Sequence, residues 1–193
     1  MKQRIGDWIC TYTLKQFYPL DPRPEDVTIE DIAHSLSQVC RYGGHTRYHY
    51  FVAQHSVYVA QAVKSWGGSI LDQFLALVHD ASEAYLVDVP RPIKNDLKGY
   101  KEMEKKVQDI ILERFGLGGT VEPQMVKDAD MSVFAVEAKS LFSNVDNWKG
   151  LNQFKPCKTI VSKMTCEAAE SEFLNLYNQL VAELKASGIN INS

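Results

Sequence analysis

A chain of 193 residues with 45% hydrophobic and 23% charged residues has the length and apolar content of one globular domain. That excludes a disordered tail, a collagenous repeat and a low-complexity scaffold. A formal net charge of −3, from 21 basic and 24 acidic residues, supplies no excess positive field for sequence-independent binding of nucleic acid.

No apolar run approaches the ~20 residues of a membrane span, and residues 1–7 lack the apolar stretch of a secretion signal. Cys10, Cys40, Cys157 and Cys166 form no C-x-x-C pair, so a zinc ribbon or thioredoxin-type site has no support. The expectation is a soluble cytoplasmic protein with reduced thiols and neither a membrane nor a nucleic-acid partner.

Residues 21–27, with two prolines, predict a fixed loop. Thr28 is placed to cap a first helix, with Asp31 three residues on. Ile29, Ile32, Ala33, Leu36 and Val39 follow at helical spacing, and Gly43-Gly44 is the expected stop. An aromatic and histidine-rich connector runs from Tyr42 to Phe51. A second helix is expected from about Phe51 to Trp66, stopped by Gly67-Gly68. Ser69, with Asp72 in the box position, opens a third that the pattern carries through Leu71, Phe74, Leu75, Val78, Ala81 and Tyr85. Pro90 and Pro92 lie beyond its end. A fourth helix is predicted over 99–115, a fifth over 123–143 with Pro123 as its first residue, and a sixth from Thr165 to Ala186. The stretch 144–164 has no clear period, although Thr159-Ile160-Val161 suits a short strand. Gly188 to Ser193 reads as a frayed end. The fold class is all-α, a single compact helical bundle spanning 1–193.

Within the third predicted helix, His79-Asp80 sits among Leu75, Ala76, Leu77, Val78 and Ala81. Neighbouring helical residues point about 100° apart, so both can reach one ion. Glu83, four residues after His79, projects from the same side one turn on. A buried carboxylate needs a partner, although a solvated helix face is the plainer reading of Glu83 in isolation. His55 and Asp130 are further polar residues in apolar helical surroundings.

The order His55 … His79-Asp80 … Asp130 resembles the H…HD…D signature of HD-domain metal-dependent phosphohydrolases. The wider match takes in Arg41-Tyr42-Gly43-Gly44-His45-Thr46, Val52-Ala53-Gln54-His55-Ser56 and His79-Asp80-Ala81-Ser82-Glu83-Ala84. It continues through Asp88-Val89-Pro90-Arg91-Pro92-Ile93-Lys94 and Lys127-Asp128-Ala129-Asp130. Over about residues 25–140 it is similar to bacterial 5′-deoxynucleotidases and to phage or prophage HD hydrolases, including phage dATP triphosphohydrolases.

The resemblance implies that His55, His79, Asp80 and Asp130 hold a metal. Two imidazoles and two carboxylates suit Co²⁺, Mn²⁺, Zn²⁺, Fe²⁺ or Ni²⁺, with Mg²⁺ as an additional ion. It further implies that Glu83 orients or deprotonates the attacking water. Asp88 would hold a second water, protonate the leaving group or bind a sugar hydroxyl. Arg41 and Lys94 would bind phosphate, Tyr42 would stack on the nucleoside, and His45 would contact phosphate or structure its loop. Solvated basic residues and an aromatic lid remain the ordinary readings of Arg41, Lys94 and Tyr42. His34 and His49 are assigned to the surface, and Glu137 to a salt bridge rather than to catalysis. Tyr42 stands where some deoxynucleotidases carry tryptophan, which leaves base preference open.

The expected activity is hydrolysis of deoxynucleoside phosphates, of dATP with dADP or dAMP by resemblance, or of monophosphates alone. A cyclic-nucleotide or alarmone phosphodiesterase and a non-catalytic nucleotide-binding module are the competing classes. A phage-encoded enzyme acting in the host cytoplasm fits the resemblance. The apolar face of the sixth predicted helix, with Phe173, Leu174, Tyr177, Leu180, Val181 and Leu184, would either close the bundle or mediate homo-oligomerisation.

Overall fold

The computed structural model describes residues 4–192, so Met1 to Gln3, part of the stretch read for a secretion signal, and Ser193 lie outside the described residues. The fold is all-α, as the periodicity requires. Its helices are α1 (Ile29–Gln38), α2 (Val52–Ser65), α3 (Ile70–Leu77), α4 (Glu83–Leu86), α5 (Arg91–Lys94), α6 (Tyr100–Arg114), α7 (Gln124–Leu141) and α8 (Cys166–Ala186). No helix is long and apolar enough to cross a membrane among the described residues.

Before α1 the sequence pattern misses a small antiparallel ribbon, β1 (Ile9–Cys10) with β2 (Gln16–Phe17). Two-residue strands are too short to show an alternation. The proline loop contains a 3₁₀ turn at Pro24–Asp26. Thr28 caps α1 as expected, its hydroxyl accepting from the Asp31 amide at 3.2 Å.

α1 stops at Gln38, well short of Gly43-Gly44. Val39 is extended (φ −78°, ψ 119°) and accepts from the Val52 amide at 3.1 Å, while the Arg41 amide donates to the Tyr50 carbonyl at 2.9 Å. These bonds flank a bridge between Cys40 and Phe51. Pairing between these two segments takes over the carbonyls and amides that another helical turn would have used. The glycines serve instead in a 3₁₀ turn, Arg41–Gly44, in which Tyr42 itself is left-handed (φ 57°).

The largest correction concerns the third predicted helix. It breaks after Leu77 into tight turns over residues 78–82 and resumes as α4, so His79-Asp80 lies at a helix break rather than in mid-helix. The turns carry i→i−3 bonds, such as the Ala81 amide to Val78 at 3.1 Å and the Glu83 amide to Asp80 at 3.0 Å. Gln108 of α6 clamps both sides of the break. Its amide nitrogen donates to the Val78 carbonyl at 2.8 Å and its amide oxygen accepts from the Ser82 amide at 3.1 Å.

α2 is buried almost all round and packs on α1, α3, α7 and α8, which makes it the central helix. α8 lies against α1, α2 and α3. Phe173, Tyr177, Leu180 and Leu184 are spent on this contact, so the apolar face of α8 closes the bundle. Pro123 caps α7 from outside rather than starting it.

Residues 144–164 are irregular and contain no strand; Leu151 anchors them on Ala135 and Ala138. The C-terminal stretch does not fray over its described residues. Ile191 is buried and the Asn192 amide donates to the Phe115 carbonyl at 3.2 Å.

Candidate metal centre and the clefts around it

Three elements meet where the chemistry-bearing residues lie. α2 presents His55 one turn from its start, the α3–α4 break presents His79 and Asp80, and α7 presents Asp130. One ligand atom from each of His55, His79 and Asp130 falls within 4.8 Å of the others. Asp80 Oδ2 borders the group, 3.2 Å from His79 Nε2 and 3.7 Å from His55 Nε2. His55 Nε2 is 3.1 Å from Asp130 Oδ1.

The imidazoles are oriented from behind. His55 Nδ1 lies 2.6 Å from Glu137 Oε1, and His79 Nδ1 lies 2.8 Å from the Ala76 carbonyl. Both Nε2 atoms are buried and neither makes a hydrogen bond of acceptable geometry, despite the carboxylates close by. Buried polar nitrogens without a bond are costly. Two of them, backed at Nδ1 and converging on carboxylates, form a group that could hold a metal ion.

Electrostatics agree with this geometry. Burial works against charge on His79, but Asp80 and Asp130 outweigh it and push the imidazole up to about 10. Burial would raise Asp80, yet His79, His55 and Arg41 hold it well below the carboxylate range. Glu83 behaves in the opposite way. Burial, with the Asp80 and Asp88 charges beside it, raises its carboxyl well above the ordinary value against the pull of Arg41 and Lys94. Its Oε2 is buried and unpartnered. Asp88 is raised as well, first by burial.

Two clefts open on this group. One, of about 710 Å³, is walled by Tyr42, Phe134, Trp148 and the Pro90/Pro92 turn, and reaches Arg41, Glu83, Asp88 and Lys94. The other, of about 550 Å³, carries Lys94, Lys101, Lys105 and Lys127 beside His79. Asp80, Asp130, Lys94 and Lys101 line both.

Of the sequence candidates, His55, His79, Asp80, Asp130, Glu83, Asp88, Arg41, Tyr42 and Lys94 are brought together. His45 is not: it is exposed and lines neither cleft. Arg41 is already engaged, 3.3 Å from Asp80 and 3.5 Å from Glu137, and Lys94 is paired with Glu104. Tyr42 donates its hydroxyl to Glu137 at 2.6 Å and turns its ring toward Phe142 and Phe134. His49 is exposed as expected. His34 is half-buried between a stacked Tyr12 ring and Glu170.

Sequence reasoning missed the Phe134–Trp148 wall, because Trp148 arrives from the irregular segment. Glu137 is the ion-pair partner that the sequence suggested, 3.5 Å from Arg41 and 2.6 Å from His55 Nδ1, and the structure adds that it is fully buried.

No family model matches the chain. It is 41% identical over 134 residues to the uncharacterized protein YfdR of Escherichia coli, across 69% of this chain and 72% of YfdR. It is 38% identical over 125 residues to the uncharacterized protein RCAP_rcc00048 of Rhodobacter capsulatus, covering 62% of this chain and 63% of that relative, under two thirds of its length. Identity at this level over most of YfdR means that the chain belongs to the same protein family as YfdR.

Proposed function

We propose that the chain is a metal-dependent phosphohydrolase of the HD-domain type that acts on deoxynucleotides. The observation that carries this reading is the pair of buried, unbonded Nε2 atoms of His55 and His79 converging on Asp80 and Asp130. A divalent cation held there would polarise a phosphate oxygen and lower the pKa of a water beside it.

The chain's own groups supply the rest. Glu83, whose carboxyl is raised by burial and by Asp80 and Asp88, is suited to accept a proton from the attacking water. Asp88, at the same cleft, can return a proton to the leaving oxygen. Arg41 and Lys94 supply positive charge toward phosphate, and Tyr42, Phe134 and Trp148 offer an apolar wall to a base. The lysine-bearing cleft next to the aromatic one favours substrates with more than one phosphate over monophosphates alone.

The test is a panel of the four dNTPs, the four dNMPs and their ribo counterparts, offered to chelator-stripped protein with Mn²⁺, Co²⁺, Zn²⁺ or Mg²⁺. Release of triphosphate or stepwise phosphate from a dNTP is the expected result. Cleavage of monophosphates alone moves the chain to the 5′-deoxynucleotidases. Metal uptake with no hydrolysis of any of them overturns the reading.

A further inference from the structure

Glu137 is fully buried in the C-terminal third of α7, and it is surrounded by donors rather than by one countercharge. Tyr42 donates to its Oε2 at 2.6 Å, Tyr50 donates to its Oε1 at 2.7 Å, and His55 Nδ1 lies 2.6 Å from the same Oε1. Arg41 Nε stands 3.5 Å away. An ionised carboxylate only accepts, so both phenols and His55 Nδ1 must carry the hydrogens. With Nδ1 protonated in this way, the basic lone pair of a neutral His55 is confined to Nε2, the atom that faces Asp130.

The same carboxylate restrains the aromatic side of the cleft. Tyr42 adopts a left-handed backbone (φ 57°, ψ 27°) that a bulky residue holds only where its surroundings over-determine it. The hydroxyl bond to Glu137 and the edge-on contact with Phe142, 5.3 Å between centroids, are those surroundings.

We infer that Glu137 is a positioning residue that serves both halves of the site. It fixes His55 as the Nδ1–H tautomer so that Nε2 can bind a cation, and it holds Tyr42 and Arg41 against the aromatic cleft. The inference rests on the proposed metal centre, but it concerns cation binding and ring orientation and does not require the substrate to be a nucleotide.

The experiment titrates chelator-stripped protein with Co²⁺, followed by visible absorption, and reads the histidine ring nitrogens of the Zn²⁺-loaded protein by ¹⁵N NMR. Glu137→Gln keeps the volume and removes the charge. It is expected to weaken Co²⁺ binding on the order of 10- to 100-fold, the usual cost of losing such a partner, and to speed exchange of the His55 Nδ1 proton. Tyr50→Phe leaves the His55 bond in place and should bind Co²⁺ nearly as wild type does.

An E137Q protein with unchanged Co²⁺ affinity and an unchanged proton signal overturns the inference. Should E137Q fail to fold, the wild-type spectrum decides: His55 protonated at Nε2 overturns it, and protonated at Nδ1 supports it. Wild type that binds Co²⁺ but hydrolyses no nucleotide defeats the functional proposal and leaves Glu137's role standing. Wild type that binds no cation overturns both.

Discussion

His55 and His79 face one another with ring centroids 5.3 Å apart and planes inclined at 52°, each with Nδ1 already engaged behind it. Rings oriented in advance lose little freedom on binding an ion, so the cation should stabilise the folded chain directly. At about 100-fold over its dissociation constant the gain is about 2.7 kcal/mol, or roughly 5–11 °C in melting temperature for a chain of this size. Melting of chelator-stripped protein with and without Zn²⁺ measures it. His55→Ala and Asp130→Ala should each abolish the shift, and retention of the full shift in both would remove these residues from the ligand set.

Glu83 lies within the bundle beside two other carboxyls, with Oε2 unpartnered. Burial first, then Asp80 and Asp88, raise its pKa. The sign follows from proton counting. An unfolded glutamate loses its proton near its ordinary value, whereas the folded one keeps it to higher pH. The folded state therefore binds more protons over that window, and stability falls as pH rises from about 4.5. Glu83→Gln removes this liability. In chelator-stripped protein the variant should be more stable than wild type at pH 8 and little different at pH 4, as read by denaturant melts. Its hydrolytic rate should fall by about 10²–10⁴-fold. Equal stability at both pH values would show that Glu83 is not strained by its neighbours.

What the sequence made legible and what it hid divide along one physical line. Local patterns placed α2, α6 and α8 within a residue or two, because capping residues and periodicity act over a few positions. The break at residues 78–82 was invisible for the same reason. Val78, Ala81 and Tyr85 keep helix-like spacing through the i→i−3 turns, and the clamp that stabilises the break is Gln108, 26 residues beyond Ser82. The candidate ligands could be proposed from their order along the chain through resemblance to a known pattern. Glu137's three donors come from two other segments, and only the packing of α2 against α7 brings them to it.

Val87, between Glu83 and Asp88, has φ 60° and ψ 161°, a region otherwise left to glycine. The residue is 57% exposed, so little burial compensates the strain. Conformations of this kind cost on the order of 1–3 kcal/mol. Val87→Gly should recover part of that, about 1 kcal/mol net of the added freedom of the unfolded chain. Asp88 would then lose the fixed backbone that aims it at the cleft, and kcat/KM should fall while the Zn²⁺-dependent melting shift persists. A less stable V87G would mean that the backbone is not strained there.

Trp148 is the one cleft residue contributed by the irregular segment. Its ring stacks on Phe134 at 6.0 Å and 21°, and contacts Phe142 at 5.0 Å. It remains 37% exposed, on the side of the cleft that Tyr42 and the Pro90/Pro92 turn complete. A base placed there gains stacking of about 1–3 kcal/mol from an aromatic partner. Trp148→Ala should raise KM for a deoxynucleotide by on the order of 10-fold, with kcat and the Zn²⁺-dependent melting shift little changed, because Trp148 is not among the residues grouped at the candidate metal site. The two halves of the result discriminate. Loss of kcat with KM unchanged would place the indole's effect on Phe134 and the α7 residues beneath it, and unchanged constants would place the base in the lysine-bearing cleft instead.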